Sequence, residues 1–319
     1  MMNYKIRVYF LGSGKIAVPI LKDLVASEIF ELVGIGTQID HPAGRKKLLH
    51  PTPVGEYTEQ VGLKVDKIPS VNSTEFLDYC ASLTPDFVLV VSFGQILKQP
   101  LLDLPSCGCI NIHASLLPLY RGASPIVASI INRDKVTGVT FMRMDKGLDT
   151  GKIYRKFELP LNGSERADHL EITLGELAAT HLADTLYGIF HGAIDGEGQD
   201  DSQATLTKKI KKDDGHINWL ESAIDIEAKV RGYYPWPGAI FNLNTNGHET
   251  SMHITEAAIL EYPEVRPGEI LEADRNGLVI ACGRGALKLE KVIPQGKKEM
   301  SGAAFINGHH LQKGANILS

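Results

Sequence analysis

Residues 109–125 read CINIHASLLPLYRGASP, an apolar run that carries Asn111 and His113 near its end and then turns through Ser-Leu-Leu-Pro to an Arg-Gly. In a strand alternate side chains share a face, so Asn111 and His113 project to one side while Ile110 and Ile112 face the other. Polar side chains at the C-terminal end of a buried strand fit an open α/β sheet, where ligands bind beyond the carboxyl ends of the strands. Outward from this stretch the pattern repeats. KIRVYFL, LVGIGTQ, KVDKI, FVLVVSF and TGVTFMRMD predict strands, and KIAVPILKDLVAS, VGEYTEQVG and TEFLDYCASL have the spacing of crossover helices. The expected fold class is α/β with a parallel-rich sheet.

RADHLEITLGELAATHLADTLYGIFHG predicts a long helix, and AIDGEGQDDSQAT after it has the composition of a linker. Beyond it, GAIFNLN, MHITEAAIL, GEILEA, GLVIACG and ALKLEKVIP are short strand-like runs split by Gly, Pro and Asn, which predict a small antiparallel barrel or sandwich. The expected organisation is a first domain over 1–190, a linker over 191–207 and a second domain over 208–319.

A chain of 319 residues accommodates two domains, and 43% apolar with 22% charged residues fits neither disorder nor a membrane class. The N-terminal MMNYKIRVYFLGSG is interrupted by Lys5 and Arg7 and is too short to span a bilayer, so it reads as a first strand of a cytoplasmic protein with no membrane partner. Cys80, Cys107, Cys109 and Cys282 form no C-x-x-C pair and no histidine cluster completes a zinc spacing, so no metal is expected. A net charge of −5 excludes binding to nucleic acid through the global field, and a polyanionic partner would need a local basic patch. KKIKKDDG, from Lys208, is such a run, although by itself it also reads as a solvated turn.

Gly12-Ser13-Gly14-Lys15 fails the phosphate-loop pattern, because that motif needs four residues before its Gly-Lys-Ser/Thr. Gly12, Gly14 and Ala17 do fit G-x-G-x-x-A, but LVGIGTQ ends in Thr37-Gln38 with Asp40 two positions late for a ribose. The glycines are therefore read as a tight turn from strand into helix.

The combination of Asn111-x-His113-x-Ser115-Leu-Leu-Pro118-x-x-Arg121-Gly122 with Asp145-x-Gly147-x-Asp149-x-Gly151 resembles the folate-dependent formyltransferases. The resemblance implies a Rossmann-like catalytic domain, a small OB-like β-barrel after it, and transfer of a formyl group from 10-formyltetrahydrofolate to an amine. It also implies Asn111, His113 and Asp149 as the catalytic set. The chemistry agrees: amine attack on a formyl carbon puts negative charge on oxygen, so preorganised donors matter most. The amide of Asn111 and a charged ring at His113 can donate, and a carboxylate at Asp149 favours that charge and can collect the amine proton. By resemblance the folate is lined by Phe93, Gly94, Ile96 and Leu97, by Ser115, Leu116, Leu117 and Pro118, and by Met144, Asp145 and Gly147. The apolar members read equally well as plain core.

Within the family the acceptor is a glycinamide nucleotide, an amino-sugar nucleotide or the methionyl group on initiator tRNA. TQIDHPAGRKKLLHPTPV resembles the loop that members acting on initiator methionyl-tRNA insert after the second strand, with Arg45, Lys46 and Lys47 as phosphate contacts. Here Asp40-His41-Pro42 stands for the usual Asp-Arg-Pro, and Lys46 stands where Gly is usual. GHINWLESAIDIEAKVRGYYPWPGAIFNL and IPQGKKEMSGAAFINGHHL resemble segments of the second domain, where Lys208, Lys209, Lys211, Lys212, Lys297 and Lys298 are tRNA candidates. Trp236, between two prolines, reads as packing rather than base stacking. The expected partners are folate and initiator methionyl-tRNA, bound by a monomer, with an amino-sugar nucleotide as the alternative acceptor.

Overall fold

The computed structural model describes residues 4–43, 48–245, 248–263, 265–307 and 311–318. The chain forms two compact units: Met1–Pro125, Val136–Pro160 and His169–Thr207 make the first, and Ile126–Lys135, Leu161–Asp168 and Lys208–Ser319 the second.

In the first unit the apolar runs become the middle of a sheet. The strands are β1 (Ile6–Gly12), β2 (Phe30–Gln38), β5 (Asp66–Ile68), β6 (Phe87–Val91), β7 (Cys109–His113), β9 (Val136–Arg143) and β10 (Ile153–Pro160), in the order β10-β9-β7-β6-β1-β2-β5. β1, β2, β5, β6 and β7 run parallel, whereas β9 pairs antiparallel with β7 and β10 antiparallel with β9. All five residues of β6 are buried, as a strand covered on both faces requires. β10 has no counterpart in the expected strands. It is an edge strand with Arg155, Lys156 and Glu158 exposed or half-exposed, so it lacks the apolar run that identifies the others.

Helices α1 (Ala17–Ala26), α2 (Pro53–Val61), α3 (Thr74–Ser82) and α4 (Gln99–Leu102) connect the parallel strands, and β3 (His41–Ala43) pairs with β4 (Leu48–His50). Thr52 and Ser73 cap α2 and α3 by accepting N–H bonds from Gly55 and Phe76, and Gly62 closes α2 in the left-handed region. Helices α5 (Pro125–Ile131) and α6 (Ala167–Phe190) follow.

The glycine loop after β1 is occupied by the protein itself. Glu171 on α6 accepts the N–H of Ile16 at 3.3 Å, and a Cβ on Gly175 would stand 2.5 Å from the carbonyl oxygen of Ile16. A Cβ on Gly14 would likewise meet Ser92 Oγ at 2.5 Å. These glycines permit close approach of α6 and β6, and the helix-start N–H is met by a carboxylate of the chain rather than by a phosphate.

Residues 191–207 run along the first unit. Glu197 bridges Ile153, and β11 (Leu206–Thr207) pairs parallel with β8 (Arg121–Gly122).

The second unit is an antiparallel sheet of β12 (Ala239–Thr245), β13 (His248–Leu260), β14 (Ile270–Asp274), β15 (Gly277–Ala281), β16 (Ala286–Pro294) and β17 (Met300–Ser301). It shares one core with α7 (Ala223–Gly232) and α8 (Gly302–Asn307), where Trp219, Ile226, Phe241, Met252, Leu287 and Phe305 meet. The packing tryptophan is Trp219, set edge-on to Phe241 at 5.3 Å. Trp236 is 57% exposed, contrary to the packing role expected of it. Among the described residues no helix is long and apolar enough to cross a membrane.

Candidate active site

β7 ends in a buried His113, with Asn111 two residues earlier and half-buried. The amide of Asn111 has no hydrogen-bond partner among the described residues. A carbonyl oxygen only accepts, so the 3.0 Å contact between His113 Nε2 and the carbonyl of Tyr120 places a proton on Nε2. Nδ1 is then the ring nitrogen left for chemistry, and it faces Asp149 Oδ2 at 3.8 Å.

Asp149 reaches His113 by an indirect path. Because β9 is antiparallel to β7, Thr140 lies opposite His113 and Arg143 opposite Ile110, so the chain leaves β9 at the far end of β7. Residues 144–149 carry it back. There the N–H of Gly122 donates to Asp149 Oδ2 at 2.7 Å. The backbone of Asp149 has φ +55°, a left-handed conformation that costs a residue other than glycine about 1–3 kcal/mol and persists only where its surroundings hold it.

The residue that meets that backbone is Gln199. Its Nε2 donates to the carbonyls of Asp149 and Gly151, both at 2.8 Å, while its Oε1 accepts from Nε and Nη2 of Arg121 at 3.0 and 2.8 Å. Arg121 is 5% exposed and also pairs with Asp201. Sequence reasoning missed Gln199, because one of two glutamines in a stretch rich in Gly, Asp and Ser has nothing to mark it. Arg121 was visible as part of the Arg-Gly motif, without a role.

The folate candidates divide by burial. Phe93, Leu97, Ser115 and Leu117 are buried, Leu116, Pro118 and Met144 are half-buried, and Gly94, Ile96, Asp145 and Gly147 are exposed. Ser115 Oγ donates to the carbonyl of Leu119, and Asp145 accepts from the N–H of Gly147 and the hydroxyl of Thr150. Phe93 and Leu97 belong to one core cluster, with Met144 packed against it, which draws the 93–97 turn and the start of the 144–149 loop together. Their side chains form the backing of a wall. Ile96, between Phe93 and Leu97 in the chain, is an apolar side chain 83% exposed. Much of the backbone of the two segments is already engaged: the carbonyl of Phe93 accepts from Ser13 and Gln38, that of Ile96 accepts from Asn72, and the N–H of Met144 donates to the carbonyl of Cys109. Among the described residues no group of three His, Cys, Asp or Glu side chains could hold a metal ion.

Lys208, Lys209, Lys211, Lys212, Lys297 and Lys298 are all exposed in the second unit, and among the described residues none forms an ion pair. Arg45, Lys46 and Lys47 lie outside the described residues.

Residues 4–186 match the family model described as formyl transferase, and residues 209–310 match that of the formyl transferase C-terminal domain. The chain belongs to the formyl transferase family. This formyl transferase is 37% identical over 312 residues to the methionyl-tRNA formyltransferase of Trichlorobacter lovleyi, covering 98% of this chain and 97% of that one. It is 40% identical over 304 residues to the methionyl-tRNA formyltransferase of Desulfotalea psychrophila, with 95% and 93% covered. Its fold is similar to that of HypX from Aquifex aeolicus in complex with tetrahydrofolic acid, with a TM-score of 0.65 at 14% identity. That match covers 95% of this formyl transferase and 47% of HypX, so the chain spans about half the length of HypX.

Proposed function

We propose that this formyl transferase moves the formyl group of 10-formyltetrahydrofolate to the amino group of initiator methionyl-tRNA, in support of translation initiation, with Asn111, His113 and Asp149 as its catalytic set. The observation that carries the chemistry is the convergence of His113 Nδ1 and the Asp149 carboxylate at 3.8 Å, on the strand that presents the unpartnered amide of Asn111. The acceptor follows from likeness at 37–40% identity that runs through both domains to relatives named for methionyl-tRNA.

When bound, the folate supplies a formyl group on an activated nitrogen. The exposed side chain of Ile96 and the 93–97 and 144–147 segments hold it. Asn111 Nδ2 donates to the formyl oxygen as that oxygen gains negative charge, and a proton on His113 Nδ1 gives a second donor. Asp149, held at its carboxylate by Gly122, collects the proton that the attacking amine loses; the tetrahedral carbon then breaks its bond to the folate nitrogen, which takes up that proton and leaves as tetrahydrofolate. An α-amino group titrates near about 8, so a neutral fraction exists at neutral pH and a strong base is not required.

The exposed lysines at 208, 209, 297 and 298, with Arg45, Lys46 and Lys47, contact the tRNA backbone, where point charges meet phosphates. The protein acts as a monomer in the cytoplasm, where charged initiator tRNA is made and used. All three catalytic residues come from one unit of one chain, so no second copy is needed to complete the set.

The test is a competition between acceptors. With 10-formyltetrahydrofolate, the protein is expected to formylate charged initiator methionyl-tRNA and not a 4-amino-sugar nucleotide. Formylation of the sugar alone would overturn the acceptor.

A further inference from the structure

We infer that Gln199 is a positioning residue for the formyl-transfer reaction: it acts through Asp149, whose left-handed backbone it fixes, and Arg121 in turn holds Gln199. The inference rests on the proposed role of Asp149.

The hydrogen-bonding capacity of the Gln199 amide is fully used. An arginine can only donate and a carbonyl can only accept, so the orientation of the amide is forced, with Oε1 toward Arg121 and Nε2 toward the carbonyls of Asp149 and Gly151. The two carbonyls flank the turn that contains Thr150. Fixing both sets the direction from which the Asp149 side chain leaves the backbone, while Gly122 fixes where its carboxylate ends. Asp149 is therefore held from both ends. Arg121 and Gly122 are adjacent on β8, which pairs with β11 just after the Gln199 segment. One short ladder thus supplies both grips.

The side chain of Arg121 is 6% exposed, and it spends three of its donor contacts on Gln199 and Asp201. It does not contact Asp149 directly. Its effect on the loop passes through the amide, so the argument concerns orientation rather than charge. Displacement of a catalytic group by about 1 Å can cost about a hundredfold in rate.

The experiment compares Gln199→Ala, Gln199→Glu, Asp149→Ala, the Asp149→Ala/Gln199→Glu double variant and Asp201→Ala, by steady-state kinetics with both substrates and by thermal melting. Gln199→Glu keeps an acceptor for Arg121 and loses the donor to the two carbonyls. Both Gln199 variants are expected to lower kcat about ten- to a hundredfold with each KM within about threefold of the parent, while Asp201→Ala stays within about twofold. In the Asp149→Ala background, Gln199→Glu is expected to cost nothing further, since coupled residues are non-additive. Near-parent kcat in Gln199→Glu, or a full additional loss in the double variant, would overturn the inference. So would failure of both Gln199 variants to fold, which would make the residue structural. If Asp149→Ala itself keeps full activity, the reading of the catalytic set fails, and the inference with it.

Discussion

Nδ1 of His113 and Oδ2 of Asp149 stand 3.8 Å apart on side chains that are 7% and 15% exposed. At that exposure the contact is screened by salt less than one at the open surface. The opposite edge of the ring is committed to the carbonyl of Tyr120. The pair is thus oriented before any substrate arrives, which is what electrostatic stabilisation of a developing oxyanion requires.

Loss of a single oxyanion donor typically costs about a hundredfold to a thousandfold in kcat. Asn111→Ala and His113→Ala are each expected to fall in that range with little change in melting temperature. Asp149→Asn, which keeps an oxygen for the Gly122 N–H but loses the charge, is expected to cost about a hundredfold or more, since positioned acid–base groups contribute at least that much. Single-turnover rates with a saturating folate co-substrate measure these losses. An unfolded His113→Ala would instead make the residue structural.

Charge reversal of the lysine pairs separates acceptor binding from chemistry. Lys208→Glu/Lys209→Glu and Lys297→Glu/Lys298→Glu are expected to raise the KM for methionyl-tRNA while leaving the folate KM unchanged. Each lost phosphate contact should flatten the plot of log affinity against log salt by about 0.7–0.9. A salt slope equal to the parent's in both variants would remove these lysines from the interface.

Close packing of α6 on the glycine loop predicts a stability effect without a catalytic one. Gly175→Ala would put a methyl 2.5 Å from the Ile16 carbonyl oxygen, where backbone must move. Overpacking of this kind costs about 1–3 kcal/mol, to be read as a lower melting temperature or urea midpoint. A melting temperature equal to the parent's would show that the loop yields freely.

The thiols give a check on burial. Burial pushes Cys80, Cys109 and Cys282 each up to about 12. None of the three should be alkylated by iodoacetamide in the native protein at neutral pH, and all should be after denaturation, because the thiolate is the nucleophile. Peptide mapping by mass spectrometry reads the result.

His253 sets an acid limit on the second unit. Its pKa is lowered, first by burial and then by the charge of Lys212. The unfolded chain therefore binds that proton more readily than the folded one. The contribution is present in full above the ordinary histidine value of about 6.5 and is lost as pH falls through it toward the depressed folded value. Urea midpoints should drop across that window, and His253→Gln should flatten the drop.

Much of this could be read from the order of residues, because the relevant physics is local. Apolar runs announce the parallel strands β1, β2, β6 and β7, and β6 is buried along its whole length. Alternation along a strand puts Asn111 and His113 on one side, and a tight turn needs the glycines after β1. The resemblance to formyltransferases likewise lives in short contiguous motifs. Other features exist only in three dimensions. β10 escapes notice because an edge strand exposed to water needs no apolar run. Trp236 reads as a packing residue between its prolines, and only the folded structure shows it exposed and Trp219 buried. The antiparallel return of β9 decides that Asp149 must be carried back to His113 by its loop, and that loop is held by Gln199, fifty residues away in a stretch of linker composition. A hydrogen bond between groups so distant in the chain leaves no periodicity behind, since its strength depends on where the backbone has come to rest and not on the identity of its neighbours.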